Sequence, residues 1–352
     1  MIPDNPLMFS PKIRWGCNFM TNRSACPFTL SSSIVLIRIT TFLIIAAMFF
    51  YRAYNLFIRD FIVRIYNEWF SWLVNNIESD VTDMKFGLWD TDTDSIKEAN
   101  KSLVQFICLH ANIHEISKET EPLKILDLGC NKGATTALLK KEIEKQNIKC
   151  DILAIDHKKE SIEHALNNHF DSNIEFLHTD PLSLSSETFG HFDLVISLER
   201  AYCFSNRPLV FRKVASLLKP EGTFITTDFV FEASKYKSLL KCPKMKNAGV
   251  LCDNILVNLL RKSCETFLKI PQCNMVNQNI WNKQLTQLFD EKESKNVTNK
   301  TFVPYYNYVL SKNAKQLHGK HCQHFAINLL DLLCDYQPFE CVLGVFQAKK
   351  TE

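Results

Sequence analysis

Residues Lys124–Asp156 read KILDLGCNKGATTALLKKEIEKQNIKCDILAID. Ile125-Leu126 and Leu128 form a short apolar run, as expected of a strand buried on both faces of a parallel sheet. Asp127, Gly129 and Gly133 stand where the chain must turn sharply. Ala134 to Ile143 then carries a helical pattern, with Ala137, Leu138 and Leu139 apolar and Lys140, Lys141 and Glu142 in solvent. A second apolar strand, Ile152 to Ile155, ends on Asp156.

Glycines where strand becomes helix permit positive φ and let backbone N–H groups approach a ligand closely. Asp156, 23 positions after Gly133 and at the tip of the second strand, is placed to accept from both ribose hydroxyls of a nucleoside. A dinucleotide fold and an adenosyl-methionine fold compete here. The dinucleotide fingerprint wants a third glycine and a pyrophosphate over the helix N-terminus. Asn131 replaces the middle glycine, and Asp127 beside the loop repels a pyrophosphate but suits the ammonium end of a methionine. The spacing D-x-G-x-N-x-G therefore favours S-adenosyl-methionine, with a tight βα turn as the bland reading.

Further elements follow in order. Ile174 to Thr179 is a third strand-like run closed by Asp180 and Pro181, and Phe192 to Ser197 reads as a fourth strand. A helix from Arg207 to Leu218 leads into the turn Lys219-Pro220-Glu221-Gly222 and a fifth strand, Thr223 to Phe231. This ordered set, over about 110 residues, resembles the class I methyltransferases. The resemblance implies a Rossmann-like seven-stranded sheet with helices on both faces, closed by Cys341–Ala348 as a final antiparallel strand. It also implies S-adenosyl-methionine as cofactor, with the methionine end held by Gly129 and nearby backbone groups, and with Asp127, Cys130, Gly133, Pro181 and Ser197 among the cofactor-binding residues. Asp156 then takes the ribose, Asp180 the adenine amino group, and His157 packs on the adenine face or is an exposed loop histidine.

At 352 residues the chain reads as one catalytic domain with additions. A formal charge of +3 is too small and dispersed to argue for nucleic acid. Thirteen cysteines without a CxxC pair, in a chain of this length, argue against a disulfide framework. His321-Cys322-Gln323-His324 lacks a second ligand pair, so no metal is expected. The sequons at Asn296 and Asn299 are expected to be inert.

Residues 1–30 read as a poorly ordered arm. Residues 31–52, SSSIVLIRITTFLIIAAMFFYR, carry Arg38 as the only charge before Arg52. That length matches the roughly 20 apolar residues of a spanning helix. Arg38 lies near one end, where its stem reaches the interface. A membrane anchor, a buried docking helix and a targeting segment all fit, the anchor best. Residues 53–120 read as a helical lid. Within it Phe86-Gly87-Leu88-Trp89-Asp90, then Ser95-Ile96-Lys97-Glu98-Ala99-Asn100, resembles the small-molecule branch of the family, which includes sterol, polyketide-type and cyclopropane-forming enzymes. The resemblance makes Phe86 and Trp89 parts of a lid over cofactor and substrate.

After the fourth strand stands Leu198-Glu199-Arg200-Ala201-Tyr202-Cys203-Phe204. Many relatives carry a histidine at the position of Cys203. Glu199, Tyr202 and Cys203 are therefore the catalytic candidates, with an ion pair as the alternative for Glu199. The F-E-H signature of cyclopropane synthases is missing, and no N/D-P-P-Y/F motif occurs. Residues 121–352 form the expected methyltransferase domain, with a helical cap insertion at 232–300 and an aromatic stretch, Phe302 to Tyr308, lining an apolar pocket. The expected activity is methyl transfer by in-line displacement to an O, N or C nucleophile of a small or lipidic acceptor, membrane-associated, with the catalytic domain in the cytosol. The alternatives are a cofactor-binding scaffold without turnover and, more remotely, an NAD-dependent oxidoreductase.

Overall fold

The computed structural model describes residues 85–116, 121–232, 269–313 and 339–349, with a few helical positions at 41–46 and 258–265. The chain divides into two units, Met1–Ile62 and Val63–Glu352. In the first, Thr41, Phe42, Ile45 and Ala46 are helical, with Phe42 and Ile45 exposed. The rest of the expected arm and anchor, the lid before residue 85 and His321–His324 lie outside the described residues. Among the described residues, no helix is long and apolar enough to cross a membrane.

Among the described residues of the second unit, the first element is α1 (Ile96–His110), whose N-terminus Ser95 caps by accepting from the Glu98 N–H. The Glu98 carboxylate reaches back to the Asp94 N–H at 3.2 Å, one residue before the position a regular capping box uses. After the short α2 (Ile113–Ile116) come β1 (Leu123–Leu128), α3 (Ala134–Glu144), β2 (Cys150–Asp156), α4 (Lys159–Asn168) and β3 (Ile174–His178). Next are α5 (Ser186–Phe189), β4 (Phe192–Leu198), α6 (Arg207–Leu217), β5 (Leu218–Phe231), α7 (Gln278–Thr286), β6 (Phe289–Asn296), α8 (Phe302–Asn313) and β7 (Phe339–Ala348).

The sheet has seven strands in the order β3-β2-β1-β4-β5-β7-β6. Strands β1 to β5 run parallel, and β7 pairs antiparallel with both β5 and β6. The near-continuous apolar runs have a direct cause, since successive side chains enter opposite faces. Ile125, Ile152, Ala154, Leu194 and Ile196 pack on one face with α1, α3 and α4. Leu126, Leu128, Leu153, Ile155 and Val195 pack on the other with α6 and α7. Lys140 and Glu142, expected in solvent, are both buried, and Lys140 pairs with Glu144 and Asp171.

Two boundaries differ from the sequence reading. The segment Lys219–Gly222 is a bulge inside β5, opposite a register shift between Phe192 and Leu194. The expected cap, 232–300, contains a helix and a strand of the sheet layer itself. Trp281 and Leu285 of α7 are fully buried against Phe346 and its neighbours, and β6 is the sheet edge. The sequence of β6, FDEKESKN, buries only Phe289. Charge on an exposed edge discourages pairing with other chains but hides the strand from any search for alternating apolar residues.

Candidate active site

Parallel strands place their carboxyl ends, and hence any ligand, on one side of the sheet. There the chain leaving β1 bends across to β2, with the Gly129 and Cys130 N–H groups both donating to the Ile155 carbonyl, at 2.8 and 3.0 Å. Gly129 and Gly133 have φ of 86°, and Asn131 between them has φ of 53°. Asparagine is among the few side-chain-bearing residues that visit this region readily, so the loop keeps a glycine-like path without the middle glycine. Ser161 on α4 holds the Asn131 side chain at 3.4 Å. Gly133 serves packing, because a Cβ there would stand 2.8 Å from the Phe176 ring and 2.9 Å from the Ala165 Cβ. Asp127 is buried and accepts from Thr136 Oγ1 at 2.6 Å, which ties the strand end to the first turn of α3. Cys130 is buried beneath the loop.

The Asp156 side chain at the tip of β2 is fully buried. It accepts from the Asn131 N–H at 3.1 Å, the Lys158 N–H at 2.9 Å and Arg200 Nη2 at 3.3 Å. Arg200 Nη2 also lies 2.9 Å from His157 Nδ1. Burial, then the Arg200 charge, pull the His157 pKa below its ordinary value. The Arg200 stem rests on Gly129, since a Cβ on that glycine would stand 2.1 Å from Arg200 Cγ. Asp180 is exposed and caps the turn Pro181–Ser183 by accepting from the Leu182 N–H at 2.8 Å, while Pro181 is buried.

At the end of β4, Ser197 is buried, and its hydroxyl has no partner among the described residues. Glu199 has φ of 52°, and its N–H is fixed by the Thr227 carbonyl and Oγ1 of β5. Its carboxylate accepts from the Phe86 N–H at 2.5 Å and the Gly87 N–H at 3.2 Å, so it holds the turn before α1. That turn is seated from its other side by Trp89, whose indole donates to the Phe86 carbonyl at 2.7 Å and packs on Tyr308. Phe86 itself sits in an aromatic wall with Phe229, Phe302 and Tyr305. Lys85, also buried, donates to the carbonyls of Gly129 at 3.2 Å and Leu198 at 2.5 Å. Tyr202 packs edge-on against Phe229. Burial raises the pKa of the Tyr202 phenol and of the Cys203 thiol, which keeps both protonated near neutral pH.

The loop after β1, Asp156, His157, Glu199 and Phe86 thus form one cluster at the carboxyl ends of the strands, joined through Arg200 and Lys85. Gly133 and Trp89 act as packing and anchoring residues beside it, and Asp180 stands at its exposed rim. Sequence reasoning missed Lys85 and Arg200, which carry no motif of their own. It also missed a second, buried polar network. Arg207 Nη1 donates to Asp228 at 2.8 Å and to the Phe229 carbonyl at 3.0 Å, and Trp281 Nε1 donates to Asp228 at 2.8 Å. Asn274 closes the network onto the Tyr202 and Phe204 carbonyls. A lone Asp228 inside the apolar run of β5 was the available signal, because a buried carboxylate needs a partner.

Residues 119–293 match the sequence model of the family described as "Methyltransferase domain". No curated protein matches the chain in sequence. The fold is similar to a putative sarcosine dimethylglycine methyltransferase from Galdieria sulphuraria, at 13% identity and a TM-score of 0.58, over 81% of this chain and 98% of that one. It is also similar to the cyclopropane synthase MmaA2 from Mycobacterium tuberculosis, at 11% identity and a TM-score of 0.53, over 74% and 89%. A geranyl diphosphate methyltransferase in complex with S-adenosyl-methionine matches at 10% identity and a TM-score of 0.51, over 76% and 99%. With its domain at residues 119–293 and this sheet order, the chain belongs to the class I S-adenosyl-methionine-dependent methyltransferases.

Proposed function

We propose that the protein methylates an O, N or C nucleophile of a small or lipidic acceptor, with Gly129, Asp156 and the end of β4 holding the cofactor. The observation that carries this reading is the acceptor chemistry at the strand ends. The carbonyls of Gly129 and Leu198 hold an ammonium, that of Lys85, and Asp156 holds the donor nitrogen of Arg200. These side-chain groups stand in for the cofactor's own ammonium and ribose hydroxyls, so the residues present fit it. Asp127 adds negative charge on the ammonium side, and Asp180 with Pro181 offers an acceptor at the rim for the adenine amino group.

When bound, the cofactor supplies a methyl group already activated by positive sulfur. The chain's own residues then need only position the acceptor and exclude water. Glu199 positions the Phe86–Gly87 turn, and the wall of Phe86, Phe229, Phe302 and Tyr305 suits an apolar acceptor. Tyr202 and Cys203 serve as protonated neighbours that orient the acceptor. Residues 31–52 are proposed as a membrane tether that leaves the catalytic unit in the cytosol, where a lipidic acceptor reaches it from the bilayer. A transfer screen with methyl-labelled cofactor against soluble metabolites and membrane extract tests the activity, with Asp156→Ala as control. Label in a low-molecular-weight product, lost in the control, is expected; no transfer from either extract refutes it. Alkaline extraction of cell membranes tests the tether, which fails if the protein is released.

A second reading, a cofactor-binding scaffold without turnover, is favoured by one observation. Both carboxylate oxygens of Glu199 accept backbone N–H groups, so the most acidic candidate is committed to structure. Tight cofactor binding with no transfer from either extract selects this reading.

A further inference from the structure

Gly129 is the point where two cations from distant parts of the chain meet. The Arg200 stem occupies the space above its Cα, with Cγ 2.1 Å and Cβ 2.9 Å from where a side chain would begin. The Lys85 ammonium takes its carbonyl at 3.2 Å, together with the Leu198 carbonyl at 2.5 Å. From Gly129 the arginine runs to Asp156, so one side chain covers both the bare glycine and the carboxylate. Its Nε is buried with no partner among the described residues, so the parked arginine leaves one donor unsatisfied.

We propose that Arg200 and Lys85 hold the cofactor site in a self-occupied state, and that S-adenosyl-methionine binds by displacing both. The inference rests on reading this cluster as the cofactor site. A ligand whose ammonium needs the Gly129 carbonyl competes with Lys85, and one whose diol needs Asp156 competes with Arg200. Apparent affinity is then the intrinsic affinity reduced by the fraction of molecules with the site clear. Because Lys85 immediately precedes the Phe86–Gly87 turn held by Glu199, clearing the ammonium site also frees the base of that turn. Cofactor arrival and lid movement are thereby linked.

The test is calorimetric titration of S-adenosyl-methionine and of its demethylated product into the full chain. The proteins compared are wild type, Arg200→Ala, Arg200→Lys, Lys85→Met and Asp156→Ala. Removing a charge-assisted contact and its stem is expected to tighten binding about tenfold in Arg200→Ala. Arg200→Lys is expected to fall between it and wild type, and Lys85→Met to tighten binding several-fold. Equal or weaker binding by Arg200→Ala overturns the proposal while wild-type binding, lost in Asp156→Ala, leaves the cofactor reading intact. No binding by any of the proteins overturns that reading, and the latch with it. A second measurement needs no ligand. His157 faces Arg200, Asp156, Lys158 and Asp180, and its ring is followed by NMR through a pH titration. In Arg200→Ala its midpoint is expected to rise; an unchanged midpoint shows that the arginine does not park there.

Discussion

Replacing Glu199 by glutamine separates a residue that holds the lid from one that moves a proton. Glutamine keeps the size and tolerates the same backbone angle of 52° about as well as glutamate does. It offers one acceptor oxygen where the carboxylate offers two, so either Phe86 or Gly87 loses its partner and faces an NH₂ group. A hydrogen bond to a charged group contributes about 1.5–3 kcal/mol, and a buried N–H left unpaired loses a similar amount. The turn keeps its bonds from Leu88 to the Ala99 carbonyl and from Trp89 to the Lys300 carbonyl, at 2.8 and 2.6 Å. Its opening free energy is therefore expected to fall by about 2–3 kcal/mol rather than collapse. At about 1.4 kcal/mol per decade, amide exchange across the Phe86–Trp89 turn accelerates roughly 30–150-fold, while β1 and β4 are unchanged. Mass spectrometry of peptides covering that turn reads this directly. Exchange within about threefold of wild type refutes the anchoring argument, and a large fall in turnover with unchanged exchange assigns Glu199 to proton transfer instead.

Gly133→Ala is expected to destabilise the domain by about 2–4 kcal/mol, read as a lower urea midpoint at unchanged slope. It combines a left-handed backbone with a Cβ pressed on Phe176 and Ala165. Asp228→Asn leaves Arg207 buried without its counter-ion and is expected to lose about 3–5 kcal/mol, whereas a matched apolar replacement of both residues recovers only part of it, because Trp281 Nε1 and the Asn274 carbonyl then stay buried without those partners. Urea denaturation of the single and double variants checks this. His157 gives a pH dependence whose sign is fixed: its folded pKa lies below the ordinary 6.5, so the unfolded chain takes up the proton first. Its contribution is full above that value and declines as pH falls through the window beneath it. His157→Gln is expected to flatten that part of the stability profile, and an unaltered slope in a melting series refutes the assignment.

The strands of the parallel half were legible because both-face burial writes an apolar run that needs no knowledge of neighbours. Cys150–Asp156 and Phe192–Leu198 lie within one or two residues of where the pattern put them. The turns were legible for a similar reason. Gly129, Asn131 and Gly133 are residues that accept positive φ, and all three adopt it. Glu221 takes φ of 63°, a conformation that favours glycine, so residue type alone did not mark this turn. The edge strand Phe289–Asn296 was not legible, because its charges answer to solvent and to the β7 backbone rather than to a core.

The sequence by itself determined the strand–turn–helix–strand unit around Asp127 and Asp156 and, through the order of elements that follow, the family. Those signals are local, carried by residues a few positions apart that share one turn or one strand. Only the tertiary structure decided what each charged group does. It gave Glu199 to the backbone of Phe86 and Gly87, more than 100 residues away in the chain. It brought Arg200 and Lys85 onto Gly129 and sealed Asp228 against Arg207 and Trp281. A carboxylate or an ammonium takes its role from whatever donor or acceptor the fold sets within about 3 Å of it. Sequence spacing carries no record of that distance once the partners lie on different strands.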